Sequence, residues 1–387
     1  MSVWDELVGQ EQAVETLSAA AARPDAMTHA WLITGPPGSG RSVAARAFAA
    51  ALQCPDGGCG ECRDCRLVAA QSHPDVLDAA TQKVLISIDD VRQWVSRSMR
   101  APSGGRWRII IVEDADRMLE RTGNVLLKSL EEAPEHTVWI LVAPSPRDVL
   151  VTIRSRCRQV GLRIPSVEAV AQLLVDRDGS DPSEAWLAAL AAQSHIGVAR
   201  RLVNDPEAIA RRRQVLAIPE AATSVARAVA AAGVLASIAK AEAEAVVRGR
   251  DAEERARLAA EAGDNPRGRM GIYARARLKE FDEESAKRAR RGQADTLDQA
   301  LIDLLAFYRD VLTVQMGADV SLVNAAETEL IAEQAHTSTI DQTMARLRGI
   351  EQARERLAGN VAPALALEAM AVILALPDLA AETQPAA

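Results

Sequence analysis

The sequence predicts an α/β module followed by helices alone: a parallel sheet with flanking helices, then a small helical domain, then an all-α C-terminal domain. Three observations carry this. Strand-like apolar runs alternate with helix-like segments as far as Pro165, a glycine-rich turn links the first of those runs to a helix, and beyond Pro165 no strand signal recurs. The expected boundaries are residues 1–165, 166–205 and 206–387.

Each element has its own signal. Trp4 to Ala22 reads as a helix carrying Leu7, Val8, Val14 and Leu17. Ala30 to Thr34 is a short apolar strand, and Arg41 to Gln53 a helix. Val84 to Ile88 reads as a further strand and Asp90 to Arg100 as a helix with acidic residues at its start. Ile109-Ile110-Ile111-Val112 is a continuous β-branched run, the mark of a strand buried on both faces. Asn124 to Glu132 is a short helix stopped before Pro134, and Val138 to Val142 is another buried strand. Ser166 to Val203 reads as short helices. From Pro206 onward the chain is helical and alanine-rich. Ala236–Ala262 and Ala274–Arg291 are charged all round and read as long exposed helices, interrupted at Gly263–Gly268. Leu297–Met316 and Thr339–Leu376 read as amphipathic members of a bundle. The tail from Ala380 is expected to fray.

Composition excludes several classes. Acidic residues outnumber basic ones by 53 to 45, giving a net charge of −8, which argues against a globally basic nucleic-acid coat protein. A hydrophobic content of 48% excludes wholesale disorder. No apolar run is long enough for a membrane span. Four acidic residues and no basic one before residue 16 are unlike a secretory or transit signal, so a cytoplasmic location is expected.

Gly35-Pro36-Pro37-Gly38-Ser39-Gly40-Arg41-Ser42 lies between a strand and a helix, the setting of a phosphate-binding loop. Its glycines would let backbone N–H groups face phosphate oxygens, and the helix N-terminus would add its dipole. Ser42 occupies the place of a Mg²⁺ ligand. Position 41, normally lysine, is arginine, a longer and planar group. An ATPase also needs a strand ending in Asp, for the metal, then Glu, to orient water. Here the order is inverted, as Glu113-Asp114. The alternative is a glycine turn and two solvated carboxylates, with no nucleotide.

Cys54, Cys59, Cys62 and Cys65 form a C-x₄-C-x₂-C-x₂-C set interleaved with Gly57, Gly58 and Gly60; Cys157 stands apart. A closed structural Zn²⁺ site is the expected reading, with an iron–sulfur cluster and free thiols as alternatives. Arg211-Arg212-Arg213 and Arg288-Ala289-Arg290-Arg291 read as solvated helix faces.

The loop, the cysteine set followed by Ser72-His73-Pro74-Asp75, the run Asn124–Glu132 and Ser155-Arg156-Cys157 occur in that order. Together they resemble the AAA+ proteins of the bacterial DNA polymerase III clamp loader. The resemblance is strong over residues 1–205. It makes residues 166–205 a helical lid; beyond that it is only a matching layout, a helical collar that assembles subunits. It implies a cytoplasmic complex that uses ATP and Mg²⁺ to load a sliding clamp onto primed DNA, as part of a nucleotidyltransferase holoenzyme. Arg41, the inverted Glu113-Asp114 pair and Ala143-Pro144, in place of a polar sensor, are similar to the delta-prime branch. That branch works with gamma/tau and delta subunits and is not catalytic alone. Arg156 then corresponds to the arginine that reaches a neighbour's ATP, Arg200 to the second sensor, and Val8-Gly9 to the adenine side. The alternatives are an active gamma/tau-like ATPase and a zinc-dependent nucleic-acid binding module on a vestigial ATPase fold.

Overall fold

A computed structural model describes residues 2–23, 26–79, 85–264, 269–359 and 361–378. The chain divides into two compact units, residues 1–204 and 205–387. The expected boundary at 165 lies inside the first of them.

The first unit holds α1 (Glu11–Ala22), β1 (Ala30–Thr34), α2 (Arg41–Gln53), α3 (Arg63–Ala69), β2 (Val76–Ala79), α4 (Ile88–Ser98), β3 (Arg108–Val112), α5 (Glu120–Glu131), β4 (Thr137–Ala143), α6 (Val151–Arg154) and β5 (Arg158–Gly161). The five strands form one sheet in the order β2-β3-β4-β1-β5, and every pairing is parallel. β1, β3 and β4 are the inner strands and are almost wholly buried, as their unbroken apolar runs require. Two apolar layers cover the sheet. One face packs Trp31, Ile33, Ile109 and Ile111 against Phe48 and Leu52 of α2 and Leu17 of α1. The other packs Leu32, Ile110 and Trp139 against Trp94 of α4 and Leu126 and Leu130 of α5. A side chain of this size stabilises by roughly 1.5–3 kcal/mol when fully buried, so these two layers dominate the module's stability.

Several expectations are corrected here. The first helix begins at Glu11 rather than Trp4. Gly9 takes φ +70°, and the segment ahead of it is tied to the cysteine loop by Val3 N–H donating to the Gly58 carbonyl (3.0 Å) and the Trp4 indole to Gly57 (3.2 Å). Among the described residues, 85–88 form no strand where one was expected over 84–88. Val84 lies outside the described residues, while Ser87 caps α4 through a reciprocal box with Asp90. The edge strand is instead β2, four residues long and interrupted by Asp78. A second edge strand, β5, also escaped the sequence reading, because only Val160 of its four residues is buried.

Residues 166–204 supply α7 (Val167–Asp178), α8 (Pro182–Ala191) and α9 (Ile196–Asn204), which share a small apolar cluster of their own. Among the described residues the elements of the second unit are all helices: α10 (Pro206–Leu216), α11 (Ile218–Ala221), α12 (Val225–Asp264), α13 (Arg269–Gln315), α14 (Thr328–Thr337), α15 (Ile340–Ala358) and α16 (Pro363–Ala375). Its core joins Leu301, Leu304, Phe307 and Tyr308 of α13 to Ile350 of α15 and Met370 of α16. The charged segments around 236–291 are not exposed on all sides. α12 and α13 pack on each other, burying Ala239, Ala243 and Leu258 and pairing Arg288 with Asp251. The basic runs are correspondingly structural in part: Arg211 pairs with Glu242 (2.7 Å), and Arg212 faces Asp303 (3.8 Å) and Asn324. Residues 265–268 of the expected break and the tail from Ala380 lie outside the described residues.

Candidate functional site

The loop from Gly35 to Ser42 leaves the C-terminal end of β1 and turns directly into α2. Open parallel sheets place ligands at this edge. Gly38 takes φ +86°, and a Cβ there would lie 2.9 Å from the ring of His195, so only glycine lets α9 approach the loop this closely. Arg41 does not extend away from the loop. Its Nη1 donates to the Gly35 carbonyl at 2.6 Å.

β3 ends beside this loop. The Ser42 hydroxyl donates to Oε2 of Glu113 at 2.8 Å, and Arg46, one turn further along α2, lies 3.8 Å from Oε1. Burial raises the Glu113 carboxyl above its ordinary range; the Ser42 bond and the Arg46 charge act against that shift without reversing it. Burial also raises Asp78, near the end of β2, and Asp116, in the turn that follows β3. Asp114 sits in a left-handed turn (φ +53°) and pairs with Arg117 at 3.3 Å. β4 ends in the buried Ala143. The next polar side chain, Ser145, caps the following short turn.

Arg200 is bound at home. Its guanidinium grips Asp178 through Nε (3.0 Å) and Nη2 (2.9 Å). The neighbouring Arg201, together with Arg41, adds to burial in holding the His195 imidazole below its ordinary range. Sequence reasoning gave no role to His195 or Arg46. The spacing of Arg46 from Ser42, four positions on one helix face, was the available signal for the latter. The His195 contact spans the whole module and had none.

Arg156 follows α6 and precedes β5. Residues Thr152 to Arg154 just before it are helical, and the last strand of the sheet comes after it. The side chain is exposed. Nε donates to Glu131 at 2.7 Å, Nη2 pairs with the same carboxylate, and Nη1 donates to the Thr152 carbonyl at 2.8 Å.

The four cysteines converge. Their sulfurs lie within 4.8 Å of one another, the only such donor group among the described residues. Cys54 Sγ is 3.7 Å from Cys59 Sγ and 3.8 Å from Cys62 Sγ. Thiolates about 2.3 Å from a tetrahedral ion are separated by about 3.8 Å, so the set fits one metal ion and is too compact to surround several irons. Backbone N–H groups of Asp56, Cys59, Cys62 and Cys65 point at the sulfurs. Burial opposes ionisation of Cys54, but the N–H groups of Cys59, Gly58 and Asp56 outweigh it and bring the thiol to about 7. Burial pushes Cys65 up, so a bound metal would displace that proton.

The His73-Pro74-Asp75 segment has a structural task. Asp75 is fully buried and accepts from the N–H groups of Ser103 (2.7 Å), Gly104 (3.0 Å) and Gly105 (2.6 Å), and pairs with Arg108 at 2.9 Å. It anchors the loop that leads into β3. A cavity of about 820 Å³ opens between the N-terminal segment, α2, the cysteine loop and α7, lined by Val8, Val43, Arg46 and Leu173.

The strand order, with a glycine-rich loop after β1 and acids at the end of β3, defines an AAA+-type P-loop module. Residues 9–166 match the protein family described as "DNA polymerase III, delta subunit". Three relatives indicate the range. A DNA polymerase III subunit delta' of Pseudomonas aeruginosa is 37% identical over 163 residues, covering 41% of this chain and 50% of its own length. A subunit tau of Bacillus subtilis is 32% identical over 227 residues, covering 56% and 40%. A subunit gamma/tau of Mycobacterium bovis is 36% identical over 179 residues, covering 44% and 30%. The chain therefore spans at most half the length of these relatives, and the likeness to DNA polymerase III subunits is confined to its matched segment. Among the described residues, no helix is long and apolar enough to cross a membrane.

Proposed function

We propose that this chain is a delta-prime-type subunit of a DNA polymerase III clamp loader, a cytoplasmic assembly that uses ATP to place a sliding clamp on primed DNA. Its own loop contributes little or no hydrolysis, and Arg156 serves the ATP site of an adjacent subunit. The observation that carries the reading is a contrast. Both side chains that would meet phosphate and metal are partly buried and engaged at their own loop, Arg41 by Gly35 and Ser42 by Glu113, whereas Arg156 is exposed and has more N–H groups than its bonds to Glu131 and Thr152 use. Mg²⁺ and ATP are thus a poor fit to the residues present at Gly35–Ser42, Glu113 and Asp114.

In this reading the guanidinium of Arg156 offsets the negative charge that grows on the transferred phosphoryl group of the neighbour's nucleotide. Arg200, pinned to Asp178, holds the lid helices together in place of sensing nucleotide. Cys54, Cys59, Cys62 and Cys65 hold a structural Zn²⁺ that fixes the loop on which residues 2–4 rest. Gamma/tau and delta subunits are the direct partners; clamp and DNA are met through the complex.

The test is reconstitution. Full-length chain mixed with clamp-loader gamma/tau and delta subunits should co-elute as one complex and restore clamp loading. Failure to associate contradicts the assignment. The matches to tau and gamma/tau proteins favour a second reading, an active ATPase, which turnover by the isolated chain, lost in Ser42→Ala, would support.

A further inference from the structure

Glu131 is the last residue of α5, and Glu132 caps it. An acidic residue at a helix C-terminus opposes the helix dipole, so two consecutive glutamates are poorly placed for α5 itself. The structure gives Glu131 a different task. Its Oε1 accepts from both Nε and Nη2 of Arg156, twenty-five positions away in sequence. The third nitrogen is held by the Thr152 carbonyl at 2.8 Å, with a longer contact to the Ser155 hydroxyl at 3.4 Å. The support is rigid. Leu130, beside Glu131, and Ile153, three residues before Arg156, are both buried in the same apolar layer.

We infer that Glu131 is a positioning residue for Arg156, holding the guanidinium by its inner edge so that its outer edge faces an anionic phosphate of the adjacent subunit. A guanidinium has five N–H donors. The grip through Nε and Nη2 uses one on each, and the Thr152 carbonyl takes one on Nη1. The remaining N–H of Nη2 and, apart from the long Ser155 contact, that of Nη1 form the outer fork, the arrangement that matches two phosphate oxygens. Without the carboxylate, the long side chain would sample many rotamers, and that freedom would have to be lost each time it engaged phosphate. The exposed ion pair contributes little to stability, so its value lies in aim.

This inference rests on Arg156 acting in trans, and the experiment separates the two. Complexes are reconstituted with wild-type chain, Glu131→Ala, Glu131→Gln, Arg156→Ala and the Glu131→Ala/Arg156→Ala pair, and DNA-stimulated ATP turnover is measured at varied ATP. Assembly is checked by size-exclusion chromatography. Glu131→Ala is expected to lower kcat at the affected site about 10-fold with KM for ATP unchanged. Glu131→Gln, which keeps an acceptor oxygen but not the charge, should fall between Glu131→Ala and wild type. The double variant should be no slower than Arg156→Ala alone. If both Glu131 variants match wild type while Arg156→Ala is slow, the positioning role is overturned and the finger stands. Faster turnover, or a loss confined to KM, also overturns it. If Arg156→Ala itself matches wild type, the trans reading fails and this inference with it.

Discussion

The guanidinium of Arg41 turns back on its own loop and donates to the Gly35 carbonyl at 2.6 Å. A lysine at this place presents a compact charge to phosphate. The arginine instead bonds to its own loop, while the Ser42 hydroxyl donates to Glu113.

The isolated chain is expected to show no ATP turnover above background and weak or undetectable ATP binding by calorimetry. Arg41→Lys combined with Glu113→Asp and Asp114→Glu should raise nucleotide affinity without restoring turnover, because Ala143 and Pro144 still stand where a polar sensor is needed. Robust turnover by the unaltered chain contradicts this.

Purified protein should carry about one Zn²⁺ per chain, and Cys62→Ser should lose it. The Trp4 indole donates to Gly57 inside the cysteine loop. Chelation should therefore change the tryptophan emission, and Trp4→Phe should remove that change. Iron in the metal analysis, or no metal, counts against the zinc reading.

Asp75 provides a pH-dependent term. Burial alone would raise its carboxyl, but donors from Ser103, Gly104 and Gly105 outweigh burial and hold it at about 2, against an ordinary 3.8. A lowered acid stabilises the fold fully above its unfolded pKa, and that contribution disappears as pH falls through the folded one. The difference corresponds to about 2 kcal/mol, present above about pH 4 and lost toward pH 2. Asp75→Asn should reduce the urea midpoint at neutral pH and flatten the acid limb between pH 4 and 2. An unchanged acid limb contradicts the assignment.

The inner strands were legible because burial on both faces leaves unbroken apolar runs, as in Ile109–Val112 and Val138–Val142. The edge strands were not: β2 carries Asp78, β5 buries only Val160, and their pairing comes from neighbours rather than from their own pattern. The cysteine set was readable from spacing, since its donors are local. The partners of the arginines were not. Arg200 pairs with Asp178, twenty-two positions away on another helix; Arg156 meets Glu131 only once α5 and α6 pack. Motifs mark which side chains matter, and tertiary packing decides what they touch.

The account turns on Arg156 acting outside its own module. Clamp-loader complexes reconstituted with the wild-type chain or with Arg156→Ala should be equally stable, since an exposed arginine contributes little to folding. The measurement is DNA-stimulated ATP turnover by these intact complexes. The account predicts a loss approaching roughly 10³-fold at the one affected site, with Arg156→Lys rescuing poorly because an ammonium lacks the planar fork. Equal turnover by wild-type and Arg156→Ala complexes would contradict it.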